Sequence, residues 1–431
     1  MQNKLKSYVA YILRIAKMGV ARILTANIIN SAISLAVSVV IVRIVSKVEY
    51  GYYGWAYNIV SLMLVISGLG IDSGILQFCS EKREENEKRL LYRFGLKYGL
   101  ICNSIISLAI LLGATFLKLS LPEGKSILQL LSLYPILYFV FMYLYSYIRT
   151  KLDNKAFSKY INVNSISRLL CMILGALLFG IYGYIVGYYA SYLVSISYAM
   201  FKTDFIKDVS SADPTQNACA NKKEVVKYSL ICCINNSMSR ALYLVDTFLI
   251  GIFIADASVL ANYKVSTTIP FALYFITQSI MVYAYPYYAN NKDDYNWIQS
   301  KTKNLIMTTL MINVSIGLLL FVFANLIVTL IYGAQYADAV PVFRLIAIAF
   351  TISASIRIPF GSLLSMLRQA KSNLIIDCVT GVVNVVLDVI LIKAYGSYGA
   401  AIATISVFIL SSIIEIYVYR KYCRKLKARN A

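Results

Sequence analysis

The chain contains no histidine in 431 residues. That absence removes imidazole acid–base catalysis, histidine metal sites and histidine proton relays together. Eight cysteines are present and no two stand in a C-x-x-C pair. Several lie inside apolar runs (Cys171, Cys232, Cys233, Cys378), so they read as free thiols rather than zinc ligands or disulfides. No phosphate-binding glycine loop occurs. The glycines of Gly68-Leu-Gly-Ile-Asp-Ser-Gly74 sit within an apolar run with no Lys-Ser/Thr after them, which argues against ATP hydrolysis. Charge is scarce at 14% of residues, and acids are the rarer sign, 20 against 41 Lys and Arg. No cofactor and no metal centre are expected.

What fills the sequence instead is apolar: 59% hydrophobic residues, with a mean hydropathy of +0.68. A soluble domain of that composition would have no solvated surface, so the chain reads as a polytopic membrane protein. Twelve stretches are long enough to cross a hydrocarbon core of about 30 Å as helices. They run at about 22–44, 55–78, 95–117, 128–148, 161–181, 184–202, 228–254, 264–288, 304–328, 342–364, 374–393 and 398–419. The N-terminus, the even-numbered loops and the C-terminal tail hold 31 Lys and Arg. The odd-numbered loops hold six: Arg43, Lys47, Lys118, Lys125, Lys264 and Lys393. This asymmetry predicts both termini in the cytoplasm, and it makes the basicity topological, with no nucleic-acid partner. Residues 1–20 read as a basic amphipathic lead-in without a cleavage site, not as a secretory signal.

The predicted fold class is all-α, twelve transmembrane helices in two six-helix bundles around a central cavity. The N-terminal bundle covers 1–209, a polar cytoplasmic linker 210–226, and the C-terminal bundle 227–431. Ile29-Asn30-Ser31 is echoed by Ile234-Asn235-Asn236-Ser237, and Tyr182-Gly183-Tyr184 by Tyr395-Gly396-Ser397-Tyr398-Gly399. Six spans followed by six spans make parallel repeats, an architecture that places substrate sites between halves.

Charges inside spans are the candidate functional groups, because each costs roughly 2.5–3.5 kcal/mol at a bilayer centre and must face protein or water. Arg240 stands near the middle of the seventh span. Asp246 lies about 120° around and about 9 Å along the same helix, out of reach as an in-helix partner. Arg240, Arg357 and Arg168 are the candidates for a substrate anion, since guanidinium forks match phosphate oxygens. Purely structural pairing, or snorkelling for Arg168, is the alternative. With histidine absent, ion coupling must use a carboxylate: Asp72, Asp246 and Asp388 are the candidates. Asp246 alternatively pairs with an arginine of another span. Asp377 and Glu415 lie near cytoplasmic ends, where hydration would explain them. The 36 tyrosines cluster in part at span ends and read mainly as interfacial belts.

Five stretches in order carry a family resemblance: Val42–Gly51 with Gly68–Gly74, Ser239–Gly251, Pro270–Pro286, Leu330–Pro341 and Tyr395–Thr404. Together they resemble the O-antigen (Wzx-type) polysaccharide repeat-unit flippases of the multidrug/oligosaccharidyl-lipid/polysaccharide exporter superfamily. The resemblance implies no enzyme. It implies translocation of an undecaprenyl-pyrophosphate-linked oligosaccharide across the bacterial cytoplasmic (inner) membrane for O-antigen or capsule synthesis. It implies partners too: the polyprenyl-pyrophosphate-linked glycan, the lipid bilayer, and the polymerase and chain-length machinery. A multidrug or cation exporter of the same fold is the runner-up and would want an acidic cavity. A membrane polymerase is disfavoured because no loop is large and histidine is absent. A lipid II flippase is disfavoured because that family carries fourteen spans.

Overall fold

The computed structural model describes residues 20–430 except 82, 152, 212–221, 292 and 368, and omits the side chains of 20–31, 235–243 and a few others. Most of the expected linker therefore lies outside the described residues. Among those described, every regular element is helical. Nine are long and apolar enough to cross a membrane, and two shorter apolar pieces, Ala32–Ile44 and Leu244–Phe253, accompany them. Chains in lipid must satisfy their backbone polar groups internally, which is why helices carry the whole fold.

The chain divides into two compact units. The first comprises residues up to Val45, Ile59–Leu119 and Glu123–Ser237; the second comprises Ser46–Asn58, Ser120–Pro122 and Met238–Ala431.

In the first unit, α1 (Val20–Ile44) runs along α7 (Asn154–Lys202). The chain between them forms α2 (Lys47–Leu64), α3 (Ile71–Ser80), α4 (Glu85–Phe116), α5 (Lys125–Leu130) and α6 (Tyr134–Thr150). Gly68, Leu69 and Gly70 all have positive φ, so the second expected span breaks between α2 and α3. Asp72 thus sits in the first turn of α3, where the helix dipole favours a carboxylate. Gly99 packs directly beneath the ring of Phe139: a Cβ there would meet Phe139 Cζ at 1.9 Å.

The 49 residues of α7 would reach about 73 Å as one straight helix, but Phe179 and Gly180 leave helical geometry. A Cβ on Gly187 would lie 2.1 Å from the carbonyl oxygen of Cys171, and one on Gly183 2.0 Å from that of Gly175. Residues 16 apart along a helix cannot meet, so the chain reverses at Gly180 and α7 is two antiparallel arms. After α7, the short α8 (Phe205–Ser210) is tied to this unit by Asp208. Its buried carboxylate accepts from Lys151 Nζ (2.7 Å), Tyr147 Oη (2.8 Å) and Arg89 Nε (3.3 Å).

α9 (Lys222–Phe253) begins in the first unit and enters the second at Met238; the second unit continues through α10 (Ala257–Ala272), α11 (Tyr274–Asn290), α12 (Tyr295–Val322) and α13 (Ala324–Tyr332). It ends with α14 (Val340–Ile352), a π-turn at Ser353–Arg357, α15 (Ile358–Met366), α16 (Ala370–Tyr395) and α17 (Ser397–Asn430). Gly396 turns α16 into α17 with φ 59° and ψ −138°, the values also found at Gly180. A Cβ on Gly399 would lie 1.9 Å from the carbonyl oxygen of Leu391, eight residues back, as Gly183 is from Gly175. The repeat is therefore written in backbone: Gly180-Ile-Tyr-Gly183 corresponds to Gly396-Ser-Tyr-Gly399. The echo of these two Tyr-Gly stretches in the sequence thus acquires a register, Tyr182-Gly183 on Tyr398-Gly399, set by backbone torsion and close approach.

Residues Ser46–Asn58 at the start of α2 pack in the second unit. A Cβ on Gly51 would meet the carbonyl oxygen of Ala257 at 1.9 Å, and Trp55 covers Gly251. Asn58 Nδ2 donates to the carbonyl of Leu244 at 3.1 Å, and Lys47 Nζ donates to the carbonyl of Gln335 at 3.0 Å with Asp338 at 3.4 Å.

Candidate functional site: a buried carboxylate network

The second unit gathers two of the expected coupling acids. α9 supplies Asp246, α16 supplies Asn384 and Asp388 one turn apart, α10 supplies Tyr263 and α17 supplies Thr404. Asp246 Oδ2 accepts from Tyr263 Oη at 2.8 Å and from Thr404 Oγ1 at 2.6 Å. Asn384 Nδ2 donates to Asp388 Oδ2 at 2.9 Å and lies 3.5 Å from Asp246 Oδ1. Asp388 is fully buried, Asp246 6% exposed, and Asp388 Oδ1 receives no hydrogen bond.

Among the described residues no Lys or Arg is ion-paired with either acid. The described contacts of Asp246 are two hydroxyls and an amide. A fully ionised pair buried without a cation would be severely unfavourable. Chemically, the cluster offers carboxylate, amide and hydroxyl oxygens, and its two acids together favour binding a proton or cation.

The remaining candidates lie elsewhere. Asp72 is half-buried at the start of α3 in the other unit, so it does not join this pair. Arg168, on the first arm of α7, hydrogen-bonds Ser34 of α1. Arg357 closes the π-turn, buried over the ring of Phe408 (5.0 Å) and 3.9 Å from Asp377. Glu415 is only 4% exposed, accepts from Ser411 Oγ at 3.1 Å and keeps Oε2 without a partner. Hydration at a span end therefore does not describe Glu415; packing of its own helix α17 against α15, where Gly361 faces it, encloses it. Arg240 continues the backbone of α9, and its side chain lies outside the described residues.

Lys264 went unrecognised in the sequence, where it counts as a loop residue. It is in the second turn of α10, its ammonium 5.0 Å from the ring centroids of Tyr53 and Tyr57 and 5.9 Å from that of Tyr50. The signal was available: Tyr50, Tyr53 and Tyr57 recur at three and four residues, one face of a helix that can bind a cation through its rings.

A family model described as "Polysaccharide biosynthesis protein" matches residues 40–341. The chain belongs to that family. As a polysaccharide biosynthesis protein it is similar to a probable low-salt glycan biosynthesis flippase, Agl15, of Haloferax volcanii. The two are 23% identical over 199 residues, which is 46% of this chain and 42% of that protein. The matched stretch thus spans less than half of that relative. Among solved structures, the lipid II flippase MurJ in an inward closed conformation superposes with a TM-score of 0.74 at 17% identity, covering 93% of this chain and 89% of that one. An inward-facing multidrug resistance MATE transporter of the MOP superfamily gives 0.73 at 13% identity, covering 95% and 100%. These likenesses show that the chain shares the fold of those two structures.

Proposed function

We propose that the protein flips a lipid-linked oligosaccharide repeat unit, carried on undecaprenyl pyrophosphate, from the cytoplasmic to the outer leaflet for O-antigen or capsular polysaccharide synthesis. It works by alternating access with coupling to a cation. The bacterial inner membrane, twelve spans and cytoplasmic termini belong to this reading. So do a cavity between the halves and handover to a polymerase with its chain-length machinery. The observation that carries the coupling is the Asp246–Asn384–Asp388–Thr404 network, four oxygen-bearing side chains from three helices with no ion-paired Lys or Arg among the described residues. A proton on one carboxylate, or a sodium ion among their oxygens, leaves a single negative charge that the surrounding hydroxyls and amide solvate. Loading the cluster then changes how α9, α16 and α17 are held together, and that is how an ion gradient reaches the transport cycle.

The anionic pyrophosphate requires positive counter-charge. Arg240, at mid-depth of α9, is proposed for that role, with Arg168 on α7 as a second contact. Arg357 already faces Asp377, which favours an internal pairing role over substrate contact.

A synthetic polyprenyl-pyrophosphate oligosaccharide in proteoliposomes tests the reading. Wild-type protein is expected to expose the glycan to an external lectin only when a proton or sodium gradient is imposed. Arg240→Ala is expected to lose this at normal protein abundance, with Arg240→Lys restoring part, since an ammonium keeps the charge without the fork. Export of small cationic dyes with no glycan flipping would favour the drug-exporter alternative.

A further inference from the structure

The last helix, α17, continues well past its apolar stretch. Tyr417 and Tyr419 end that stretch, and Arg420, Lys421, Arg424, Lys425 and Lys427 follow within eight positions, with no acid between 416 and 431. This polar end is docked. Tyr419 and Leu426 are buried against Met366, Leu367, Ile376 and Ile298, and Tyr419 Oη donates to Thr302 Oγ1 at 2.9 Å. On one flank a cleft of about 460 Å³ opens between α17 and the start of α16, lined by Gln369, Ser372, Tyr417, Lys421, Tyr422 and Lys425. Lys421 and Lys425 are one helical turn apart and share the same wall. On the opposite flank a smaller cleft of about 260 Å³ holds Arg420, Arg424 and Lys427. Among the described residues, none of these five cations is ion-paired.

We propose that the Lys421–Lys425 cleft seats the phosphate headgroup of an anionic phospholipid from the surrounding leaflet. Every polar side chain lining it can donate a hydrogen bond, and none is a carboxylate. Its tyrosines and lysines stand where an apolar helix gives way to basic residues, the level of lipid headgroups. Basic residues placed only to set topology need no shared cavity. Here Gln369 and Ser372, from a different helix, complete a concave wall facing the two ammonium groups. The diphosphate of the proposed glycan carrier has the same phosphate chemistry, and the test separates the two.

Full-length protein is purified from nanodiscs containing phosphatidylglycerol and phosphatidylcholine, and the lipids it retains are counted by native mass spectrometry. The wild type is expected to retain phosphatidylglycerol preferentially. Lys421→Gln/Lys425→Gln is expected to weaken that retention about 10- to 30-fold, the effect of two charges near an anionic surface. Lys421→Arg/Lys425→Arg should preserve it, and Arg420→Gln/Arg424→Gln on the other flank should leave it unchanged. An unchanged preference in the Lys→Gln pair overturns the proposal, as does equal retention of both lipids by the wild type. Displacement of phosphatidylglycerol by added undecaprenyl pyrophosphate, lost in the Lys→Gln pair, would assign the cleft to the carrier instead and equally overturn it.

Discussion

At the scale of single side chains, Asp246 and Asp388 are bound to one another's fate through Asn384. Asparagine at either position keeps the shape but removes one of the two negative charges that call for a cation. Ion-gradient dependence of flipping is therefore expected to vanish in Asp246→Asn and in Asp388→Asn. Transport should fall about tenfold or more, the equivalent of one lost charge-assisted contact of about 1.5–3 kcal/mol. Variants that flip at the wild-type rate with intact gradient dependence would make the cluster purely structural. Asp208 is a different kind of acid. Burial pushes its carboxyl upward, but hydrogen bonds from Lys151, Tyr147 and Arg89 outweigh that and hold it below the usual carboxylate range. A depressed folded-state value means the stabilisation is complete above the unfolded value near pH 4 and is lost as pH falls through the folded one. Asp208→Asn should accordingly cost about 1–3 kcal/mol at pH 7, and the Tm gap to wild type should narrow below pH about 4. A gap independent of pH would show that the charge is not what holds α8.

At the scale of elements, the two arm-reversals separate strain from collision. Gly180 has φ 59° with nothing within 4 Å of a Cβ, so Gly180→Ala is opposed by backbone conformation alone, about 1–3 kcal/mol. Gly183 and Gly399 allow backbones to touch, and a methyl at either would lie 2.0 or 1.9 Å from a carbonyl oxygen. Gly183→Ala and Gly399→Ala are therefore expected to reduce folded protein more than Gly180→Ala, read as the monodisperse peak of a fluorescent fusion on size exclusion. Equal yields for all three would mean that the arms separate readily. Small residues at such crossings substitute for hydrophobic driving force, because lipid tails are as apolar as leucine.

For the molecule as a whole, the asymmetry of 31 against six basic residues predicts the sidedness. Reporters fused after residues 215 and 425 should score cytoplasmic, and one placed between Lys118 and Lys125 external; a periplasmic result at 215 defeats the six-plus-six scheme. The segment Ser46–Asn58 adds a conformational prediction, because it comes from the first half of the sequence yet packs within the second unit. If the bodies that alternate are the two halves of the sequence, its contacts at Gln335 and Asp338 open during the cycle. In a variant with native cysteines replaced, Lys47→Cys and Asp338→Cys joined by a short bismaleimide should stop flipping, while each single cysteine should not. Unimpaired flipping by the cross-linked protein would mean that the segment travels with the second unit throughout.

Membrane residence was legible from composition, and the order of helices from apolar stretches, because a hydrocarbon solvent constrains every residue that enters it. The boundary between the fifth and sixth stretches was legible to within a few residues, read at Tyr182-Gly183-Tyr184 with Gly187 and found at Gly180. Asp246 and Asp388 could be singled out as intramembrane charges. Their meeting could not, because they are 142 positions apart and depend on how α9, α16 and α17 pack. Nor could the burial of Glu415, which hydropathy placed at a wet end, or the enclosure of Lys264 by three tyrosines of α2. Sequence alone determines which residues enter the membrane, since that cost is paid residue by residue. Which of the charged ones find one another is decided only in the folded structure, since pairing depends on distances between helices that no local pattern encodes.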